Sequence, residues 1–103
     1  MLPDDSIGGL LMLKAEANKK TLKLYKPSEL LEQAFDFADP IARKIKDPVL
    51  HDEIELYVEN QRAQVGTKKN YSDVSSFCDK ILNLIDPQEI VRIKNILKGI
   101  VNF

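Results

Sequence analysis

The sequence predicts an all-α protein, a compact bundle of four to five helices, and three observations carry that prediction. Apolar residues recur at helical spacing through most of the chain. The dipeptide Asp-Pro occurs at 39–40, 47–48 and 86–87, each time with apolar residues close behind it. Strand-like alternation is confined to "TLKLYK" at 21–26, and a lone strand finds no partner elsewhere in the chain.

Asp-Pro reads as a helix start. The Asp carboxylate accepts hydrogen bonds from the unpaired N–H groups of a first helical turn, and its charge suits the positive end of the helix dipole. Proline at the next position has no N–H to leave unpaired, and its φ is already helical. At Asp86-Pro87 the pattern is extended by Glu89, which completes the spacing of a capping box.

The elements follow in order. The segment 7–20 is the least regular helix: Gly8 and Gly9 weaken it by ~1 kcal/mol each relative to Ala. Its apolar residues Ile7, Leu10, Leu11, Met12 and Leu13 surround the axis rather than lining one side. The segment 28–46 keeps Leu30, Leu31, Ala34, Phe35, Phe37, Ala38, Ile41, Ala42 and Ile45 in one helical phase, which predicts a single helix kinked at Pro40 rather than two short ones. The segment 48–65 carries two apolar stripes: Leu50, Ile54, Tyr57, Val58 and Val65 on one side, and Val49, Leu56 and Ala63, seven residues apart, nearly opposite. Gly66 suits the stop of that helix, and "GTKKNYS" is the one clear loop between helices. A helix at 72–86, with Ser72 as its cap, places Val74, Phe77, Cys78, Ile81, Leu82, Leu84 and Ile85 together. The last, 87–103, confines all its apolar residues except Val91 to an arc of roughly 160°.

Length and composition bound the class. A chain of 103 residues forms a single domain, 1–103, with one core. Hydrophobic content of 44% and charged content of 30% are those of an ordinary globular protein. The N-terminus carries acids where a secretory signal needs bases, no apolar run reaches the ~20 residues that span a bilayer, and one cysteine suits a reducing compartment, so a cytoplasmic location is expected.

Chemical motifs are few. His51, the single histidine, stands one turn from Glu55 in "HDEIE". A zinc site wants three or four ligands, mostly His and Cys, and a di-iron bundle wants paired Glu-x-x-His, so an exposed His51 touching Glu55 is the expectation. Asp52, Glu55 and Glu59 share a helix side, but paired catalytic carboxylates need a cleft that drives their pKa values apart, and a solvated acidic strip is the simpler reading. Cys78 lies inside an apolar arc and is expected in the core. Ser72, Ser75 and Ser76 lack a Gly-x-Ser-x-Gly turn, and Gly8-Gly9 lacks the spacing of a phosphate loop. These absences predict a non-enzyme without catalytic residues, metal or organic cofactor.

Charge is polarised along the chain. Residues 28–65 hold four bases against nine acids, whereas 1–27 hold five against three and 66–103 hold six against four. The expected function is a protein-interaction module (adaptor, regulatory subunit or assembly component) that binds another protein and self-associates, as a homodimer or larger homo-oligomer. Its expected contacts are Val49, Leu56 and Ala63, with Ile7, Leu10 and Leu11 near the N-terminus. The alternative is a helical nucleic-acid-binding regulator that uses Lys19, Lys20, Lys23, Lys68 and Lys69 beside Tyr25 and Tyr71, since cations interleaved with aromatics suit a phosphate backbone.

Overall fold

A computed structural model describes residues 4–20, 24–67 and 69–99. It contains five α-helices, α1 (Asp4–Asn18), α2 (Pro27–Lys44), α3 (Pro48–Ala63), α4 (Tyr71–Leu82) and α5 (Pro87–Lys98), with a 3₁₀ turn at Val65–Thr67 and no strand among the described residues. The expected all-α bundle is therefore observed. The expected helical positions 100–103 lie outside the described residues.

Two of the three Asp-Pro pairs start helices. Asp47 accepts from the N–H groups of Val49, at 2.9 Å, and Leu50, at 3.4 Å, and caps α3. Asp86 accepts from Gln88 N–H at 2.9 Å and caps α5. The carboxylate of Glu89, however, faces Arg92 at 2.6 Å, one turn further along α5. The third pair, Asp39-Pro40, lies inside α2, which runs through it as one helix. Pro40 removes the N–H that would meet the Asp36 carbonyl, but Asp36 is exposed and water can take its place. Burial of Ala38, Ile41 and Ala42 on both sides of the proline holds the phase.

Helix ends differ from expectation by a few residues: α1 begins at Asp4 rather than 7, and α4 stops at Leu82 rather than 86. α2 begins at Pro27, one residue early, and the Glu29 carboxylate accepts the Lys26 N–H at 3.4 Å. α4 begins at Tyr71 rather than after a Ser72 cap, with Asn70 as the capping residue and its carbonyl accepting the Asp73 N–H.

α1 lies at the centre. It packs against α2, α4 and α5; α2 and α4 pack on each other, and α3 lies against α2. This accounts for most of the lack of sidedness in 7–20: three neighbouring helices bury Ile7, Leu10, Leu11 and Leu13, while Met12 stays 47% exposed. Ile7 and Leu10 are fully buried and Leu11 nearly so. These three are therefore corrected: they build the core and present no surface to a partner.

The two glycines of α1 have opposite roles. A Cβ on Gly9 would stand 2.5 Å from the Phe37 ring of α2, so hydrogen is what lets the two helices approach. A Cβ on Gly8 would meet Leu97 and Ile93 of α5 at 3.7–3.8 Å, ordinary contact. Gly8→Ala is expected to stabilise the fold by up to about 1 kcal/mol through helix propensity. Gly9→Ala is expected to destabilise it by about 1–2 kcal/mol, since overpacking exceeds the same gain. Urea titration of the two variants checks the difference in sign.

The core joins three helices, α2, α3 and α4, through aromatic rings. Phe77 of α4, fully buried, meets Phe35 of α2 edge-on at 5.1 Å and stacks on Tyr57 of α3 at 5.6 Å. Ile54 and Val58 complete the inner side of α3. α5 is the lightest attachment. Ile93 is its one buried side chain among the described residues, and Ile96, expected inside the apolar arc, is half exposed.

Candidate functional site: the outer face of α3

α3 is amphipathic twice over, and the fold uses one side. Leu50, Ile54, Tyr57, Val58 and Val65, the first stripe, are buried or half-buried. The second stripe is open: Val49 is 75% exposed, Leu56 60%, and Ala63 is exposed as well. Seven-residue spacing keeps these three in one row about 21 Å long, from the 1.5 Å rise per residue. Asp52, Glu53, Glu55 and Glu59 border the row and are all exposed. Glu53 reaches Lys80 of α4 at 3.6 Å, and Glu55 reaches His51 at 3.2 Å.

Beside the row, the packing of α3 on α2 leaves a cleft of about 300 Å³ lined by Asp39, Ala42, Glu55, Val58, Glu59 and Arg62. Ala42 and Val58 form its apolar floor, and Asp39, Glu55 and Glu59 supply three carboxylates. The Arg62 guanidinium bonds Asp39 at 2.6 Å and lies 5.5 Å from the centre of the Phe35 ring. Spacing along the sequence brings Glu55 and Glu59 together but gives no sign of Asp39 and Ala42, which arrive from another helix.

His51 is half-buried rather than exposed. Its Nδ1–H donates to the Ala42 carbonyl at 2.6 Å, since a carbonyl only accepts, and this adds a second bond to a last-turn carbonyl of α2 that also accepts the Ile45 N–H at 3.3 Å. Its Nε2 faces Glu55, as the spacing predicts. The ligating atoms of His51, Asp52 and Glu55 lie within 4.8 Å of one another, the closest approach to a metal-binding group among the described residues. All three side chains come from the first two turns of α3, and exposed acids so placed are ordinary on a helix.

Cys78 is fully buried, and desolvation, reinforced by the neighbouring Asp79 charge, pushes its thiol up to about 12. A thiol so held is a core group and not a nucleophile. Tyr57 is also raised, by burial first and then by Cys78. Both groups keep their protons in the folded chain at pH values where the unfolded chain has lost them. The Cys78 contribution to stability is therefore complete below pH about 9 and falls as pH rises toward about 12, and Tyr57 acts in the same direction. Denaturation profiles between those limits are expected to fall less steeply in Cys78→Ala than in the unsubstituted chain.

The basic residues divide. Lys19 pairs with Glu16 at 3.4 Å, and Lys20 and Lys69 are exposed, whereas Lys23 and Lys68 lie outside the described residues. The Tyr71 hydroxyl donates to the Tyr25 carbonyl, which ties the residues before α2 to the start of α4. Lys26 and Lys69 then line one groove of about 300 Å³ with Pro27, Ser28, Val65 and Gly66. A third groove, of about 270 Å³, runs among α1, α4 and α5 past Leu11, Leu82, Ile85 and Val91. At its edge Lys14 pairs with Asp79 at 2.5 Å. Among the described residues no helix is long and apolar enough to cross a membrane. Comparison of the chain with family models, with curated proteins and with solved structures returns no match.

Proposed function

We propose that this chain is a non-catalytic, cytoplasmic protein-interaction module whose contact surface is the outer face of α3. One observation supports the reading above the others. Val49 and Leu56, two of the most exposed large apolar side chains among the described residues, stand in one row on a helix whose opposite side is already committed to the core. Scattered exposed apolar residues are normal, but an aligned row framed by charge is the pattern of a surface that meets another protein. The non-catalytic part of the reading rests on the motifs of the sequence, and the cytoplasmic part on its lone, buried cysteine. Self-association is the less favoured form of the reading, because two α3 faces in register would set Asp52, Glu53, Glu55 and Glu59 against their own copies.

The test places a photo-crosslinking amino acid at position 56 of the full chain in an extract of its native cells, with the exposed Gln33 of α2 as the control position. The expected result is one reproducible adduct from position 56, competed away by unlabelled chain but not by a Leu56→Glu variant. Equal labelling from the two positions contradicts the reading.

A second reading, nucleic-acid binding, is favoured by the groove that brings Lys26 and Lys69 together. It requires a mobility shift at low salt that fades as salt rises and is lost in Lys26→Glu/Lys69→Glu.

A further inference from the structure

Building on the assignment of the α3 face as the contact surface, we infer that its partner is a basic amphipathic helix, with apolar side chains on Val49, Leu56 and Ala63 and an Arg or Lys side chain entering the cleft between α2 and α3. Three features of the structure lead to this occupant.

The first is shape. The row is convex, one helix wide and about 21 Å long, which matches about four turns of a second helix and little else. Helices meet side by side at 8–10 Å when apolar residues recur every seven positions, and Val49, Leu56 and Ala63 have that period.

The second is charge. Four carboxylates, Asp52, Glu53, Glu55 and Glu59, border the row. Glu53 meets Lys80 at 3.6 Å and Glu55 meets the His51 imidazole at 3.2 Å. A neutral or acidic helix would desolvate these acids with no return, and a basic one matches them along its length. The same border opposes a second copy laid in register.

The third is the cleft. Its floor of Ala42 and Val58 suits the aliphatic stem of a long cationic side chain, while Glu55 and Glu59 stand where the charged end would emerge. Arg62 already binds in this manner from the other side, its guanidinium on Asp39 and over the Phe35 ring. The acidic edge and the apolar row are thus adjacent parts of one surface. A single helix–helix contact buries less than the ~1,200 Å² of a standard interface, so the complex belongs to the transient class.

The experiment titrates the full chain, by fluorescence anisotropy, with two synthetic helical peptides. Both carry leucine at heptad spacing; one has Arg and Lys flanks and its twin has Glu in their place. The basic peptide is expected to bind about tenfold or more tighter than the twin, the equivalent of ~1.4 kcal/mol, and to weaken as salt rises. Glu55→Lys/Glu59→Lys should abolish that preference, and Leu56→Glu should lower affinity for both peptides, with circular dichroism confirming that each variant is folded. Equal binding of the twins, or preference for the acidic one, overturns the basic partner while leaving the contact surface standing. Binding unchanged by Leu56→Glu overturns both, as does failure of either peptide to bind together with no adduct from position 56. A dimer that light scattering detects and Leu56→Glu dissolves assigns the face to a second copy and also overturns the basic partner.

Discussion

Phe77→Ala is expected to lower the free energy of unfolding by about 3–5 kcal/mol, the usual loss when a large aromatic residue is removed from a closed core. Phe77 is fully buried and touches two rings from two other helices, Phe35 edge-on and Tyr57 in a stack. Its removal deletes burial and both ring contacts at once, and no neighbour is free to fill the space, since Val74, Cys78 and Ile81 are themselves fully enclosed. Domains of this size are stable by ~5–15 kcal/mol, so the variant sits near the limit of folding. Urea titration followed by circular dichroism measures the loss. A Phe77→Leu variant, which keeps apolar volume but not the rings, should recover a part of it.

The second large effect is a contrast between two leucines. Leu10→Ala is expected to cost about 2–5 kcal/mol, and Leu56→Ala to change stability by less than ~0.5 kcal/mol. Leu10 is fully buried on the central helix, whereas Leu56 is 60% exposed on the outer face of α3. The same residue type and the same substitution thus separate a side chain consumed by folding from one left for another purpose. Thermal or urea unfolding of the pair checks it, and comparable losses at both positions would mean that the outer face of α3 is covered within the chain.

Much of the architecture is legible in the sequence because its determinants are local. Asp47 and Asp86 cap α3 and α5 as their Asp-Pro context predicts, since a side chain reaching an N–H two residues on needs no tertiary help. The inner stripe of α3 is equally legible, because a period of 3.6 with one buried side is a property of the helix itself. Asp39-Pro40 shows where that reasoning stops. The same dipeptide sits in the middle of α2, where burial of Ala38, Ile41 and Ala42 outweighs the lost hydrogen bond. α1 shows a different limit. Apolar residues on all sides are equally compatible with a partner-binding segment and with a helix at the centre, and only the arrangement of α2, α4 and α5 around it decides for the centre. At the candidate site, the row Val49, Leu56 and Ala63 follows from spacing along one helix. The cleft beside it does not, because Asp39 and Ala42 come from α2 and join Glu55 and Glu59 through packing alone.

That the fold buries Ile7 and Leu10 of α1 and leaves the outer face of α3 open is tested most directly by carbene footprinting of the dilute chain, read residue by residue by mass spectrometry. Heavy labelling of Val49 and Leu56 with protection of Ile7 and Leu10 is the expected result. Protection of Val49 and Leu56 at concentrations where the chain is monomeric, or labelling of Leu10 at their level, would contradict it.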